Sequence, residues 1–402
     1  MVGAAIQRFA ILLALIGGVL HLSGVIQNDL WGAPPGYGMG MAGGFLHIGL
    51  LLSSEPEGVE LLNNPVLLQA ILANRELTYP SGFTPAIGDG GTGRISTGAL
   101  ELRLSWAVRQ GDDETAALLA ALLRREIREG HYDRDPGSLF AIANYVGELP
   151  ELPQGEEIEP LSPTFFAKPI NILMLRNLSG SGDEKHAIAA AMYGSGGIAH
   201  SQANGLAIDL YGAGHNVGHD LGCDDYRSKV HQEYLWQSPA HNTVIVNGIS
   251  SENNAMTLTK VQPPHGERKG EYLGLVYAQA EYEYKDPAAE QQRTLALIRV
   301  DDKTAFFFDV FRSQLKRSAD DEFHDFIYGN RSDKMIIKEG RTGKSLNLQK
   351  SRLLTSEKGN LKGYDYFKNE RSAPYEGHVH VEWPWQAPDG DKVIMDLLMR
   401  GG

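Results

Sequence analysis

The chain has 402 residues, of which 42% are hydrophobic and 22% charged, a composition typical of a folded protein with about two domains. Its formal net charge of -13 argues against a nucleic-acid partner, because binding to a phosphate backbone requires an excess of Lys and Arg. The single cysteine, Cys223, excludes an internal disulfide, so covalent cross-links within the chain cannot stabilise the fold.

Residues 9–27 form the first element, an uncharged apolar run just long enough to span a bilayer. Three interpretations remain open. Arg8 before the run is typical of a signal peptide, but no small-x-small cleavage site follows it. A membrane anchor would have to accommodate His21 within the lipid. We favour a buried helix of an α-helical domain, because the run leads into the next turn without the polar linker that separates an anchor from a domain.

A turn and the start of a second helix come next, over residues 28–45. The Pro-Pro-Gly run at residues 34–36 interrupts the chain and places Tyr37 at a helix start, from which its side chain points into the cavity that the turn faces. Trp31 lies earlier in the same turn. On the residues alone, half-buried packing is the commoner role for a tyrosine at such a position.

Helical spacing of apolar residues continues to about residue 148. It predicts pairs of helices joined by short turns. Residues 85–94 interrupt this pattern with four glycines and lack the Gly-Lys-Ser/Thr of a phosphate-binding loop, so we interpret them as a loop that lines a cleft. The apolar runs that carry the helical spacing are residues 61–77, 100–107 and 116–127.

A Glu- and Pro-rich segment at residues 150–163 predicts a solvated linker between a helical domain, residues 1–149, and a β domain, residues 164–402. The fold class predicted is therefore α+β. A hairpin turn at residues 301–303 between two alternating runs indicates a large antiparallel sandwich. Strands are predicted at residues 170–175, 187–193, 205–211, 243–247, 273–284, 293–300, 304–311, 335–338, 379–385 and 393–398.

Polar residues with ligand chemistry flank two of these strands. His200 and Gln202 precede the strand at 205–211, Asp220 follows it, and His241 opens the strand at 243–247. Imidazole and carboxylate groups bind zinc, and the amide of Gln is a weaker oxygen donor. Gln202, Asp220 and His241 are thus a candidate zinc site, while a network of hydrogen bonds is the alternative, since histidines near strand ends are usually only hydrogen-bonded.

These two segments resemble the β-domain signature of the heparinase II/III-like polysaccharide lyases. In that family His-x-His-x-Asp precedes a strand, Asp-Pro-Gly follows it, and Ala-His-Asn-Thr-Val comes later. His200 and Gln202 match the two histidines, residues 220–222 match Asp-Pro-Gly with Leu in place of Pro, and residues 240–244 match the last motif. Gln202 stands where many members have a histidine that binds a structural metal, and the resemblance implies the same region as a zinc site.

The turn before Tyr37 is also similar to a helix-turn-helix of this family, whose tyrosine carries the catalytic proton. The resemblance implies an α/α toroid, incomplete at its N-terminus, followed by an antiparallel β-sandwich. It implies β-elimination in uronic-acid polysaccharides of the alginate or glycosaminoglycan type, with Tyr37 and His200 as the catalytic residues and Trp31 in substrate binding. Arg94 and Arg103 are candidates for holding the substrate carboxylate, because a guanidinium offers it a bidentate fork.

The family also carries a carboxylate-neutralising Asn or His ahead of the tyrosine, and residues 1–36 leave no room for it. We therefore expect little activity from this chain by itself. Two alternatives stay open, a glycan-binding relative or fragment without catalysis and a membrane-anchored protein of the cell envelope. The expected partner is an acidic polysaccharide, the expected location is periplasmic or secreted, and zinc is the expected cofactor.

Overall fold

The computed structural model describes most of the chain beyond residue 34. Trp31 and the apolar run at residues 9–27 lie outside the described residues, and of Tyr37 and Met39 only the backbone is described. No helix of the described part is long and apolar enough to cross a membrane. The described ranges are residues 35–135, 137–154, 157–194, 196, 200–218, 220–252, 254–265, 267, 274–317, 323–355 and 361–400.

The described chain begins with α-helices, as the helical spacing predicted. The prediction of a helix over residues 61–77 is wrong in one respect, because the chain forms parts of two helices there. Pro65 lacks an N–H and starts the second one, and Asn64 caps it by accepting a hydrogen bond from Val66 N at 3.0 Å. The helices are α1 (Pro35–Leu51), α2 (Pro56–Leu62), α3 (Pro65–Arg75), α4 (Thr97–Gln110), α5 (Asp113–Arg128) and α6 (Leu139–Asn144).

A tight turn pairs α4 with α5. Gly111 ends α4 at φ 67°, a left-handed conformation that glycine adopts at no steric cost. Asp112 then caps α5, where its Oδ1 accepts a hydrogen bond from Thr115 N at 3.2 Å. The two helices pack against α1 in one apolar cluster that includes Leu46, Leu100 and Leu119, all fully buried.

Antiparallel strands make up the rest of the described chain, in two larger sheets and three smaller ones. All the predicted strands are present within a few residues of their predicted ends, and the predicted turn at residues 301–303 joins β9 to β10. The strands are β1 (Thr164–Ala167), β2 (Ile172–Asn177), β3 (Ile188–Tyr193), β4 (Ala207–Gly212), β5 (His215–Gly218), β6 (Val244–Val246), β7 (Thr257–Gln262), β8 (Leu275–Tyr284), β9 (Ala289–Arg299), β10 (Ala305–Leu315), β11 (His324–Phe326), β12 (Ile336–Glu339), β13 (Gln349–Lys350), β14 (Arg371–Ser372), β15 (His378–Gln386) and β16 (Lys392–Arg400).

The five-stranded sheet, in the order β1-β2-β3-β4-β5, is covered on both faces. Side chains alternate along a strand, so Leu173 and Leu175 of β2 share a face, and they pack with Val276 and Leu295 of the four-stranded sheet β10-β9-β8-β7. The opposite face packs against a cluster that includes Tyr79, from the segment after α3. This sheet therefore joins the helical part of the chain to the second sheet.

The segment predicted as a solvated linker is exposed or half-buried in its described residues up to Pro160, and its last residues are anchored to both neighbours. Arg176 of β2 is fully buried and donates hydrogen bonds to Ser162 O at 2.8 Å, to Thr78 O at 2.8 and 3.0 Å, and to Glu76 O. Glu76 Oε2 accepts a hydrogen bond from Ser162 N at 3.1 Å. One guanidinium thus ties the linker, the end of the helical part and the first large sheet together, which the sequence of the linker does not reveal.

Replacing that guanidinium should destabilise the whole protein. We expect Arg176→Met to lower the free energy of unfolding by about 3 kcal/mol or more, because several buried carbonyls lose their donor. Arg109→Met is the matched control, since Arg109 is exposed on α4 and donates to Asn144 Oδ1 at 2.7 Å. Urea unfolding followed by circular dichroism measures both, and equal stabilities of the two variants would contradict the anchoring role.

Candidate functional site

The buried carboxylate of Asp220 collects donors from three segments of the chain. Its Oδ2 accepts a hydrogen bond from Tyr193 OH of β3 at 2.6 Å and lies 2.7 Å from His241 Nδ1, and its Oδ1 accepts one from Gly222 N at 3.0 Å. Burial by itself would raise the pKa of Asp220, but His241, Tyr193 and Gly222 together hold it below its ordinary value. Burial and the Asp220 charge raise the pKa of Tyr193, which keeps the phenol a donor.

The same contact orients the ring of His241. A carboxylate only accepts hydrogen bonds, so Nδ1 carries a hydrogen in this contact. His241 is 2% exposed, and Nε2 has no hydrogen-bond partner among the described residues. The Oε1 atom of Gln202, which is 1% exposed, also lacks one in that part of the chain.

The sequence prediction placed Gln202, Asp220 and His241 around one zinc ion, and two of these residues are in direct contact. Asp220 Oδ2 and His241 Nδ1 are 2.7 Å apart in a hydrogen bond, whereas two ligands of a tetrahedral zinc lie about 3.3 Å apart, given bonds of about 2.0–2.1 Å. Asp220 thus orients His241 through this hydrogen bond, and zinc binding by the three residues stays a prediction.

A buried guanidinium holds the chain next to His241. Arg293 of β9 is fully buried and pairs with Asp309 of β10 through two hydrogen bonds of 2.9 and 2.6 Å. Its Nη1 donates to Leu206 O at 2.7 Å and to Asn242 O at 2.6 Å. The residues before β4 and after His241 are thereby held at the edge of the second large sheet.

The glycine-rich loop at residues 85–94 reaches the β part of the chain, as its interpretation as a cleft loop predicted. Asp89 N donates to His200 O at 2.9 Å, Asp89 Oδ2 lies 3.3 Å from His200 Nδ1, and Asp89 Oδ1 accepts from Gln202 Nε2 at 3.1 Å. Gly222, at φ 64°, allows this approach, since a side chain there would lie 2.7 Å from Gly90 O. A residue of the helical part thus contacts the predicted catalytic histidine.

His200 itself has a backbone φ of 61°, which is uncommon for a residue other than glycine and is typical of functional sites. Its ring is 39% exposed, and Nδ1 also lies 3.1 Å from the hydroxyl of Tyr226, which is 46% exposed. Asp89 and Tyr226 were not predicted as site residues. Asp89 could have been chosen as the acidic residue of the cleft loop, whereas nothing in the sequence pattern singles out Tyr226.

The predicted carboxylate partners lie elsewhere in the helical part. The guanidinium of Arg94 is not open to a substrate carboxylate. It already binds Glu126 at 2.7 and 3.0 Å and Glu129 at 3.1 Å. Arg103 is buried in α4, burial lowers its pKa, and its Nε lacks a hydrogen-bond partner within the described ranges. Tyr37 lies in the first turn of α1, and its side chain, like all of Trp31, lies outside the described residues.

Two protein-family models match this chain, and the residues around His200 and Asp220 lie within one of the matched ranges. Residues 172–385 match the family model described as heparinase II/III-like, C-terminal. The chain belongs to this family. Residues 27–145 match a second model, described as the second domain of endo-acting ulvan lyase.

One curated relative matches more than half of the chain. It is an endo-acting ulvan lyase of Formosa agariphila, 27% identical over 276 residues, which are 62% of this chain and 33% of that protein. Among solved structures, a heparinase III has a TM-score of 0.52 at 12% identity and covers 96% of this chain and 52% of its own. A heparan sulfate lyase mutant from Pedobacter heparinus has a TM-score of 0.50 at 12% identity, with 96% and 53% covered. The chain thus spans about a third to a half of the length of these proteins, and the solved structures support a shared fold.

Removal of the Asp220 charge should produce a pH-dependent loss of stability. The folded pKa of Asp220 is lowered, so its contribution is present above the unfolded pKa of about 3.9 and is lost as the pH falls through the folded value. We expect Asp220→Asn to lower the free energy of unfolding by about 1–3 kcal/mol at pH 7, with the difference from wild type shrinking below about pH 4. Urea unfolding at several pH values measures this.

Asp396→Asn is the matched control for this substitution. Asp396 lies 2.8 Å from His380 in an exposed pair on the β15–β16 hairpin, so its loss should cost less than about 1 kcal/mol. A difference between wild type and Asp220→Asn that stays constant from pH 3 to pH 7 would show that the Asp220 charge does not contribute as described.

Proposed function

We propose that this chain forms the active site of a polysaccharide lyase that cleaves a uronic-acid-containing acidic polysaccharide by β-elimination. Membership of the heparinase II/III-like family supports the class of reaction. The observation that carries the proposal is the contact of one exposed imidazole with both a carboxylate and a phenol, His200 Nδ1 being 3.3 Å from Asp89 Oδ2 and 3.1 Å from Tyr226 OH. Proton transfer in β-elimination needs groups of this kind.

In the proposed reaction, the elimination requires a base for the proton on C5 of the uronic acid and an acid for the leaving glycosidic oxygen. Asp89 accepts the hydrogen of His200 Nδ1, so Nε2 takes the C5 proton and the Asp89 carboxylate stabilises the imidazolium that forms. The C5–H electrons form the C4–C5 double bond, the C4–O bond breaks, and the leaving oxygen takes a proton. We assign that last proton to Tyr37, and Tyr226 positions the ring of His200.

The substrate carboxylate must also be neutralised, because its charge opposes loss of the C5 proton. Arg103 stays our proposal for this role, supported by its buried guanidinium, whose Nε has no hydrogen-bond partner among the described residues. Trp31 stays proposed for sugar stacking. Ulvan is the first substrate to test, because the curated relative is an ulvan lyase and residues 27–145 match an ulvan lyase domain.

The proposal also includes the architecture and the location. We propose that residues 1–149 belong to an α/α toroid and residues 164–402 to a β-sandwich, supported by the paired helices and by the apolar cluster that the two large sheets share. A polymer substrate does not cross a cytoplasmic membrane intact, so the enzyme should be periplasmic or secreted. Recovery of the protein in the cytoplasmic fraction of its host would contradict that location.

Substitution of His200 tests the proposed base directly. The product carries a double bond conjugated to the carboxylate, so the reaction on ulvan, alginate or heparan sulfate is followed by ultraviolet absorbance. We expect His200→Gln to lower kcat/KM by about 10²–10⁴-fold, because general-base catalysis contributes that much. Tyr226→Phe should lower kcat by a smaller factor with KM nearly unchanged. Tyr375→Phe is the control, since Tyr375 lies on the far β12–β16 side of the chain, beside Glu339.

Two results would contradict this assignment. Wild-type activity in His200→Gln would remove the imidazole from the mechanism. A wild-type chain that binds ulvan in affinity electrophoresis without ever forming the double bond would favour the non-catalytic glycan-binding alternative.

The proposed acid is tested separately. Tyr37→Phe should abolish the double-bond signal while circular dichroism and the unfolding midpoint stay those of wild type. If Tyr37 and His200 act in one step, the double variant should lose no more rate than the stronger single variant, because residues that act as a unit are not additive. If the rate losses of the two single variants multiply in the double variant, the two residues act in independent steps.

A further inference from the structure

A second group of side chains meets Asp89 on the side away from His200. One ligand atom each from Asp89, Cys223 and His231 all lie within 4.8 Å of one another. Cys223 Sγ is 3.7 Å from His231 Nδ1, and His231 Nε2 is 3.8 Å from Asp89 Oδ1. The side chains of His231 and Asp89 are only 5% and 7% exposed, and Cys223 is half-buried.

Each of these three residues is fixed by its own segment. Asp89 is held by its backbone hydrogen bond to His200 O, and Cys223 follows Gly222, which Asp220 fixes. His231 starts a π-helical turn (His231–Leu235), and irregular turns of that kind are frequent at functional sites. The cluster is therefore assembled before any ligand arrives.

Two more ring contacts restrict His231. Its ring meets Tyr226 edge-on at a centroid distance of 5.0 Å and stacks on Trp236 at 6.4 Å. The backbone N of His231 donates to Ser228 Oγ at 3.0 Å. An imidazole held in this way loses little conformational freedom when it binds a ligand.

We propose that Asp89, Cys223 and His231 bind a divalent cation of the zinc type. Thiolate, imidazole and carboxylate are the zinc ligands of proteins, and bonds of about 2.3 Å to sulfur and 2.0–2.1 Å to nitrogen place neighbouring ligands about 3.5 Å apart. The 3.7 Å separation of Cys223 Sγ and His231 Nδ1 is close to that spacing, whereas Asp89 Oδ1 faces the other ring nitrogen, Nε2, at 3.8 Å. One ligand atom of each residue lies within 4.8 Å of the others, so the side chains have to approach by up to about an ångström to bind one ion.

Gln202 holds the Asp89 carboxylate in place beside the cluster. Its Nε2 donates to Asp89 Oδ1 and to Gly222 O, each at 3.1 Å, so the amide fixes both the carboxylate and the turn before Cys223. The thiolate, the imidazole and the carboxylate leave the fourth position of a tetrahedral zinc ion to solvent.

Two other clusters among the described residues have ligand atoms at the same spacing, but a lysine side chain contacts each of them. His215, Asp389 and Asp391 lie together, and the ammonium of Lys185 is 2.6 Å from Asp391 Oδ2. His380, Glu382 and Asp396 form the other, and Lys338 pairs with Glu382. Both are surface ion-pair networks without a thiol, whereas the hydrogen bonds and ion pairs of the Cys223 cluster in the described part of the chain involve no lysine or arginine.

Metal binding at this site must release a proton. Burial and then the Asp89 charge raise the pKa of the Cys223 thiol, so without metal the thiol is protonated at neutral pH. The incoming cation takes the thiolate as a ligand, and the proton goes to solvent, so affinity should increase with pH. Because Asp89 also contacts His200, the ion would share a carboxylate with the proposed base.

Cys223 is the only cysteine of the chain, which makes its thiol a direct reporter. In the full chain without a histidine tag, Zn²⁺ should slow the reaction of Cys223 with a thiol reagent at least about tenfold, because the bound thiolate is no longer a nucleophile. Co²⁺ should give a thiolate-to-cobalt charge-transfer band at one equivalent. Cys223→Ser should remove the band, and His231→Ala should weaken binding by about tenfold or more.

His380→Ala is the matched control, since it removes a histidine from a surface cluster of the same spacing and should leave the band and the protection unchanged. Equal reactivity of Cys223 with and without Zn²⁺ would overturn the proposal. Loss of binding in His380→Ala together with retention in Cys223→Ser would also overturn it and move the ion to the surface cluster. These readouts need no polysaccharide, so they are independent of whether the chain is a lyase.

Discussion

The buried charge of Asp220 is the constraint on which the site depends. A carboxylate without donors in the protein interior would be strongly unfavourable, so the fold must supply several hydrogen-bond donors around it. They come from Tyr193, His241 and Gly222, which lie on different segments. Meeting this requirement fixes the turn at Gly222, and that turn lets the glycine-rich loop approach closely enough for Asp89 to contact His200.

Buried arginines connect larger parts of the fold through hydrogen bonds. Arg176, Arg293 and Arg299 each donate to backbone carbonyls of segments far away in sequence, and Arg299 bonds Asn177 O at 2.6 Å and His186 O at 2.8 Å. A guanidinium has five donors in a fixed plane, so a single side chain can satisfy the carbonyls of several irregular segments at once. The helical part, the linker and the two large sheets are connected through such contacts as well as through apolar packing.

Local patterns predicted the elements well. Alternation of apolar residues located the strands, and the predicted strand at 243–247 ends in an Asn-Gly turn, with φ of 51° and 66° at residues 247 and 248. The pattern failed where a single residue overrides periodicity, as Pro65 does inside the run 61–77. The Glu and Pro content of the linker indicated solvent, and its described residues up to Pro160 are exposed or half-buried, but the pattern did not reveal that Arg176 binds Ser162 near its end.

The candidate site was predictable only in part, for a related reason. Asp220 and His241 were expected to converge and do, although the strand that leads to Asp220, β5, was not predicted. The role of Asp89 depends on a contact with a residue 111 positions later in the sequence, and no local pattern encodes that distance. Cys223 and His231 were missed because their shared partner lies on the same distant loop.

The central claim is that Asp89 from the helical part and His200 from the β part form one functional unit. A double-mutant cycle on kcat/KM for ulvan cleavage, with Asp89→Asn, His200→Gln and the double variant, measures their coupling most directly. We predict a coupling energy of about 1 kcal/mol or more, because Asp89 stabilises the charge that forms on His200. If the free-energy changes of the two single variants add up to that of the double variant within about 0.5 kcal/mol, this account is contradicted.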